Sequence, residues 1–165
     1  MNVVSNTGPI IALAKLGRLD ILQSLFSKVL IPTMVHRELM GKIGHEWGAI
    51  EKGLQSFIST VPPTATHQEA FNALLSVDEG ERQAISLAII TGSETLLLLD
   101  DKAGRTAAKQ LGVRVTGTVG LLLLAKDRGL ITSVKESLQI LRFFGYWLSD
   151  DIIATTIKMA EEDDV

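Results

Sequence analysis

The chain has 165 residues, 46% of them hydrophobic, and a formal net charge of −3 at pH 7. This is about the length of one domain, and so apolar and weakly charged a composition excludes an intrinsically disordered chain, while the absence of cysteine excludes disulfides, thiolate metal sites and cysteine nucleophiles. No apolar run approaches the ~18 residues of a membrane span and the N-terminus lacks the basic region of a secretory signal, so we expect a cytoplasmic protein with no membrane contact.

Short apolar segments alternate with amphipathic ones along the chain. We predict a strand at Asn2–Ser5, helices at Ile10–Leu16 and Leu19–Phe26, a strand at Lys28–Ile31, helices at Met34–Met40 and Glu46–Gln55, and a strand at Phe57–Val61. There follow a helix at Glu79–Ile90, a strand at Thr95–Asp100, a helix at Lys102–Leu111, a strand at Val113–Thr116, a helix at Thr118–Arg128, and helices capped by Ser133 and by Ser149, the last ending at Met159. The alternation predicts a three-layer α/β/α sandwich with a central parallel sheet of four or five strands.

Capping signals and the lack of a linker complete this organisation. Thr33 is placed to cap the helix after the second strand, and Asp78 with Glu81 forms a loose capping box. Thr66 and Glu69 have the spacing of another capping box. No repeat or low-complexity tract interrupts the chain, so we expect a single domain over residues 1–165, with 146–165 as a C-terminal helical extension and acidic tail.

Charge is distributed unevenly along the chain. Residues 102–142 carry eight Lys and Arg but only two Asp and Glu, whereas residues 1–101 and 143–165 are both net acidic. A basic segment beside an acidic one can hold a polyanion next to a metal site. Ordinary solvated helix faces explain the same pattern, and charge alone leaves both interpretations open.

Polar residues follow two strands, and they share one crevice if those strands are neighbours in the sheet. Asn6 comes directly after the first strand, and Asp100 and Asp101 close the apolar strand at 95–100. Glu38 lies in the helix after the second strand, and Glu81 lies in the first turn of the helix at 79–90. In parallel sheets such residues meet outside the carboxyl ends of the strands. Carboxylates that converge there repel one another, and a hard cation such as Mg²⁺ or Mn²⁺ is the usual resolution.

Each of these residues also has a simpler interpretation. Glu81 can be only the capping partner of Asp78, and Asp100–Asp101 can cap the helix that starts at Lys102. Glu38 can be solvated at the end of an amphipathic helix. Asn6 can make an Asx-turn. Spacing alone does not decide between these interpretations and a metal site.

Four collinear blocks make the sequence resemble the PIN-domain superfamily. They are VVSNTGPIIALAKLGRLDIL at 3–22, GERQAISLA at 80–88, LLLLDDKAGR at 96–105 and VTGTVGLLLLAKDRGLI at 115–131. The similarity is closer to a prokaryotic branch that opens with S-N-T-[SG]-P-[LI]-I, and it extends to the ending GYWLSDDI. The resemblance implies an α/β/α sandwich, and many PIN domains cut single-stranded RNA with Mg²⁺ or Mn²⁺. Several act as the toxin of a toxin–antitoxin pair, which implies a small antitoxin partner.

The acidic positions of the superfamily can be carried over residue by residue. The resemblance places its first acid at Asn6, its second at Glu38, its third at Glu81 and its fourth at Asp101, with Asp100 adjoining. Asn6 is a departure, because asparagine replaces the aspartate that active members use as a metal ligand. An amide oxygen still coordinates Mg²⁺ but carries no charge, so we expect weaker metal affinity.

These arguments give one expected site and two expected functions. We expect Glu38, Glu81, Asp100 and Asp101 to be catalytic, and the metal to be held by Asn6, Glu38, Glu81 and Asp101. The expected function is a metal-dependent endoribonuclease acting on single-stranded RNA, and the alternative is a catalytically silent RNA-binding or protein-interaction module.

Three more polar residues are expected to contact substrate: Thr7, Arg105 and Thr118. Arg105 either touches a phosphate or pairs with Asp101, and the sequence does not decide which. The Gly117–Gly120 turn either presents backbone N–H groups to a phosphate or uses its glycines for close packing, and packing is favoured.

An aromatic cluster lies near the C-terminus, formed by Phe143, Phe144, Tyr146 and Trp147. Core packing is the modest interpretation of this cluster, and an exposed surface for a partner is the other. Together with the family resemblance, the cluster leads us to expect a homodimer.

Overall fold

A computed structural model describes residues 1–42, 44–62 and 74–162 of the chain. A five-stranded sheet lies at its centre, with all paired neighbours parallel and the order β3-β2-β1-β4-β5. The strands are β1 (Asn2–Ser5), β2 (Val29–Pro32), β3 (Ile58–Val61), β4 (Thr95–Leu98) and β5 (Arg114–Thr116). The predicted parallel sheet of an α/β/α sandwich is confirmed.

Nine helices, counted over the described residues, cover this sheet. They are α1 (Thr7–Lys15), α2 (Asp20–Phe26), α3 (Thr33–Met40), α4 (Trp47–Leu54), α5 (Glu79–Thr91), α6 (Lys102–Gln110), α7 (Thr118–Asp127), α8 (Val134–Phe143) and α9 (Asp150–Met159). The predicted caps Asp78, Ser133 and Ser149 are confirmed, since each side chain accepts a hydrogen bond from the backbone N–H three residues further on. None of these helices is both long and apolar enough to cross a lipid bilayer.

The sheet separates two apolar clusters. Val3 and Leu98 belong to the cluster that includes α1, α2, α7 and α8, whereas Val4, Leu97 and Leu99 belong to the cluster under α5 and α6. Successive residues of a strand point to opposite faces, so a strand covered on both faces must be apolar throughout. This explains why the run Leu96–Leu99, which precedes Asp100 and Asp101, is apolar throughout.

Some predicted boundaries differ from the structure. Thr33 does not cap α3, because the helix begins at Thr33 itself and Pro32, with φ −74° and ψ 163°, takes the N-cap position without a side-chain hydrogen bond. The strand predicted at Thr95–Asp100 ends at Leu98, since the chain must turn there to start α6. The capping box predicted at Thr66 and Glu69 lies outside the described residues.

Candidate functional site

The register of the sheet brings Asn6 beside the end of β4. In the parallel pair of β1 and β4, Ser5 lies opposite Leu98, so both strands end at the same edge. The backbone N–H of Asn6 donates to the carbonyl of Leu98 at 2.9 Å, and Asp100 and Asp101 follow two and three residues later. The condition for a shared crevice is therefore met, because the first strand and the apolar strand are neighbours.

Glu81 and Asp101 both approach Gly104, which lies in the first turn of α6. The carboxylate of Asp101 accepts a hydrogen bond from the N–H of Gly104 at 2.8 Å, which makes Asp101 the N-cap of this helix. A Cβ atom placed on Gly104 would lie 3.4 Å from Cδ of Glu81. The same atom would lie 2.9 Å from Cδ2 of Leu99, so glycine makes room for Leu99, and the Glu81 carboxylate lies at ordinary contact distance from α6.

Glu38 reaches the same edge from α3. Its carboxylate accepts a hydrogen bond from the hydroxyl of Thr7, and its Oε1 lies 2.6 Å from where a Cβ atom of Gly80 would be. Gly80 directly precedes Glu81 in α5, so the Glu38 carboxylate packs against the first turn of that helix, and its charge contributes to the raised pKa of Glu81. Thr7 supports Glu38, a contact that sequence reasoning did not assign to it.

Glu81 is the most strongly perturbed acid of the group. Its side chain is buried, with 7% of the residue exposed. Burial is the largest cause that raises the pKa of Glu81 to about 7, and the charges of Asp78, Asp101 and, to a smaller extent, Glu38 add to it. A hydrogen bond with the backbone of Asp78 lowers the pKa of Glu81 and so partly offsets this increase. Near neutral pH a proton or a nearby positive charge therefore stabilises the Glu81 carboxylate.

Asp100 has different surroundings from its neighbour Asp101. Its carboxylate accepts hydrogen bonds from the backbone N–H of Thr118 at 2.7 Å, from the Thr118 hydroxyl at 2.7 Å and from the hydroxyl of Tyr146. Arg105 donates to the backbone carbonyl of Asp100. Three donors occupy the carboxylate, so Asp100 holds the start of α7 and the segment at Tyr146 together, and its catalytic role stays a prediction.

The same network bears on Thr118 and Arg105. A substrate phosphate would have to compete with Asp100 for both donors of Thr118, which is 1% exposed. A Cβ atom on Gly117 would lie 2.8 Å from Oδ1 of Asp100, so this glycine permits close packing, as the favoured interpretation of the turn predicts.

Asn6 presents an unpartnered oxygen at the edge. Its side-chain Oδ1 is buried and has no hydrogen-bond partner, and the side chain makes no capping bond to α1. The Asx-turn interpretation of Asn6 is therefore wrong. A buried oxygen without a donor is costly, and a cation or water would satisfy it.

Asn6, Glu38, Glu81 and Asp101 lie at one edge of the sheet, which we call the acidic edge. This edge and the fold agree with the family that the sequence matches. Residues 2–162 match the sequence profile of a family described as a PIN domain. The chain belongs to the PIN-domain family. The predicted resemblance is thus confirmed over nearly the whole chain, and no curated protein sequence matches it.

PIN domains typically use divalent metal ions, and the residues of this PIN domain fit such an ion in their chemistry. The available donors are oxygens, and the Oδ1 of Asn6 lacks a partner. Within residues 1–42, 44–62 and 74–162, however, no three Asp, Glu, His or Cys side chains are grouped closely enough to hold an ion. Mg²⁺ often binds through one or two carboxylates and keeps several waters, so fewer than three acidic ligands suffice for such an ion.

Sequence reasoning missed Tyr146 as a member of this PIN-domain site. Its hydroxyl reaches Asp100 across 46 positions of the chain, and burial and the charge of Asp100 raise the pKa of Tyr146. The aromatic cluster was the available signal, but aromatic spacing does not specify a hydrogen-bond partner. Phe143 and Trp147 of that cluster are 85% and 82% exposed, so core packing is the wrong interpretation for these two.

Proposed function

We propose that this PIN domain is a divalent-metal-dependent endoribonuclease that acts on single-stranded RNA. The observation that carries the proposal is the buried Glu81 carboxylate, whose pKa is raised to about 7 by burial and by the charges of neighbouring acids, Asp101 among them. Like charges held together in this way favour a bound cation. The family supplies the nuclease-like fold, and the specific reaction is our inference.

The proposed site uses each residue for a separate task. Asn6, Glu81 and Asp101 would hold Mg²⁺ or Mn²⁺, with Glu38 adding negative charge from α3. A bound ion lowers the pKa of its water and stabilises the charge that develops on a phosphodiester. Thr7 orients Glu38 by its hydrogen bond, and the cap from Asp101 to Gly104 fixes the direction of that carboxylate. Burial of Glu81 keeps bulk water away from one side of the site.

Cleavage of single-stranded RNA in the presence of Mn²⁺ is the direct test. Asp101→Asn is a sharp variant, because asparagine is as good an N-cap as aspartate and the change removes the charge while keeping the cap. We expect the variant to fold normally and to lose cleavage. Asp127→Asn, an exposed acid at the end of α7, is the matched control and should cut as the parent does. Failure of Mg²⁺ and Mn²⁺ to support cleavage of any single-stranded RNA would contradict the proposal.

A catalytically silent RNA-binding or protein-interaction module is the second candidate, and the uncharged Asn6 favours it. Asn6→Asp adds the carboxylate that active family members carry at this position. If the parent chain is inactive and Asn6→Asp gains both Mn²⁺ affinity and cleavage, the silent function is supported. Metal-dependent cleavage by the parent chain excludes it.

The remaining expectations are proposals that rest on the family. We propose a cytoplasmic protein, a homodimer, and a toxin role with a small antitoxin as partner. Growth arrest on expression, relieved by a protein from an adjacent gene, tests the toxin role. The molar mass in solution tests the dimer.

A further inference from the structure

We propose that a cleft beside the acidic edge binds one segment of an unpaired RNA strand, with a base stacked on Trp147 and the strand's phosphates contacting α6. The inference rests on the proposed function for the class of ligand. It does not need cleavage, since a silent RNA-binding module would use the same cleft.

The cleft has a volume of about 850 Å³. It lies between α6, the start of α7 and residues 145–148, and Asp101 is among its lining residues. A strand lying in the cleft therefore passes next to the proposed metal-binding edge.

Trp147 forms the aromatic side of this cleft and is 82% exposed. Its two neighbours are anchored, because Tyr146 donates to Asp100 and Leu148 is buried. The indole is thus presented to solvent by a fixed backbone. Exposed aromatic rings held in this way are platforms on which unpaired bases stack, whatever their sequence.

Basic side chains also line the cleft. Lys102, Arg105 and Lys109 all line the cleft and follow one another at helical spacing on α6, so they share a face. Arg105 is directed by its bond to the Asp100 carbonyl. Neither lysine has an acidic side chain within 4 Å among the residues that the structure describes.

The charge decides between a nucleic acid and a second copy of the chain as the occupant. An apolar dimer interface would use Trp147 and Phe143 but would leave Lys102 and Lys109 without a role, since of the three cations of α6 only Arg105 has a partner among the described residues. A single strand matches both features at once, with its bases toward the aromatic ring and its phosphates toward the lysines.

The test is a binding measurement without metal, so that it does not depend on cleavage. The chain contains two tryptophans, so Trp47→Phe leaves Trp147 as the single indole reporter. We would titrate this variant in EDTA and low salt with a 2′-O-methyl oligoribonucleotide of about ten nucleotides. We expect quenching of the Trp147 emission. By anisotropy of the labelled oligonucleotide, Trp147→Ala in the parent chain should bind about 10- to 100-fold more weakly, and Trp147→Phe should bind almost as the parent does.

The lysines give an independent readout in the salt dependence. Lys102→Gln and Lys109→Gln should each reduce the slope of log affinity against log salt by about 0.7. Lys28→Gln, an exposed lysine just before β2 and so at the opposite edge of the sheet, is the control and should leave the slope unchanged.

The inference is overturned by no binding of the parent chain at low salt, by binding without quenching, or by equal affinity of Trp147→Ala and the parent. A Trp147→Ala variant that only changes a dimer into a monomer would assign the surface to a second copy instead. Binding with no cleavage under Mn²⁺ would refute the nuclease and support this inference. Cleavage with a KM that Trp147→Ala leaves unchanged would refute this inference alone.

Discussion

Replacing Glu81 by glutamine should stabilise the metal-free protein, and the gain should depend on pH. At low pH the folded and the unfolded chain both keep the proton on Glu81. Between 4.5 and about 7 the unfolded chain releases this proton while the folded chain retains it, so the free energy of unfolding decreases as pH rises through that interval. A pKa moved from 4.5 to about 7 corresponds to a cost on the order of 3 kcal/mol above pH 7. Glutamine has a similar shape without the charge and removes this cost.

Thermal and urea unfolding in EDTA measure the effect. Glu81→Gln should unfold as the parent does near pH 4, and at about pH 8 its Tm should be higher by up to roughly 6–12 °C for a domain of this size. Mn²⁺ should raise the Tm of the parent more at pH 8 than at pH 6, since the ion meets the charge that burial disfavours. This stabilisation should be much smaller in the variant.

Glu79→Gln is the control for this experiment. Glu79 lies in the same turn of α5 but is exposed and forms an ion pair with Arg82. Its replacement should change stability by less than about 1 kcal/mol with little dependence on pH. If Glu81→Gln is less stable than the parent at pH 8, or if its gain is equal at pH 4 and pH 8, the electrostatic account of the acidic edge is refuted.

Three further variants test other contacts. Glu162→Gln should lower the free energy of unfolding by up to about 3 kcal/mol near pH 6 but hardly at all at pH 2, as urea melts at both pH values can measure. Hydrogen bonds from Lys126 and from the start of α8 outweigh burial and lower the pKa of Glu162 to about 2. The stabilisation by this carboxylate is therefore lost as pH falls from 4.5 toward 2. Gly80→Ala should displace the Glu38 carboxylate, whose Oε1 is 2.6 Å from the new methyl position, and reduce Mn²⁺-dependent cleavage with less than about 1 kcal/mol change in urea melts. Tyr146→Phe should cost about 1–3 kcal/mol in the same melts, since it removes a donor from the Asp100 carboxylate.

The sequence predicts the fold well because its signals are local. The bounds of β1, Asn2–Ser5, follow from a short apolar run that a turn ends. Helix α5 ends just before Gly92, which adopts φ +122°, and a glycine after a periodic segment is a local signal for the end of a helix. Thr33 failed as a cap because proline already provided the extended residue before the helix. A propensity scale ranks threonine above proline at that position, and only the backbone path decides.

The site is predicted less completely, because contacts between distant residues are not local signals. Asn6 and Asp101 could be placed at one edge by the rule for parallel sheets. The pairing of Glu38 with Thr7 required the angle between α1 and α3, and the bond between Tyr146 and Asp100 required the path of the whole C-terminal segment. The raised pKa of Glu81 depends on burial, which a sequence position does not state.

Acidic residues at this edge do not by themselves require a cation, because the fold provides other positive groups. Helices α5, α6 and α7 all begin here, and their N-terminal N–H groups are donors for carboxylates. Asp101 accepts from the start of α6 and Asp100 from the start of α7, so both aspartates have hydrogen-bond donors without a metal. Glu81 differs, because burial and its charged neighbours still hold its pKa near 7. The case for an ion in this PIN domain therefore depends on Glu81 and the unpartnered oxygen of Asn6, and these are the residues at which metal affinity should be measured first.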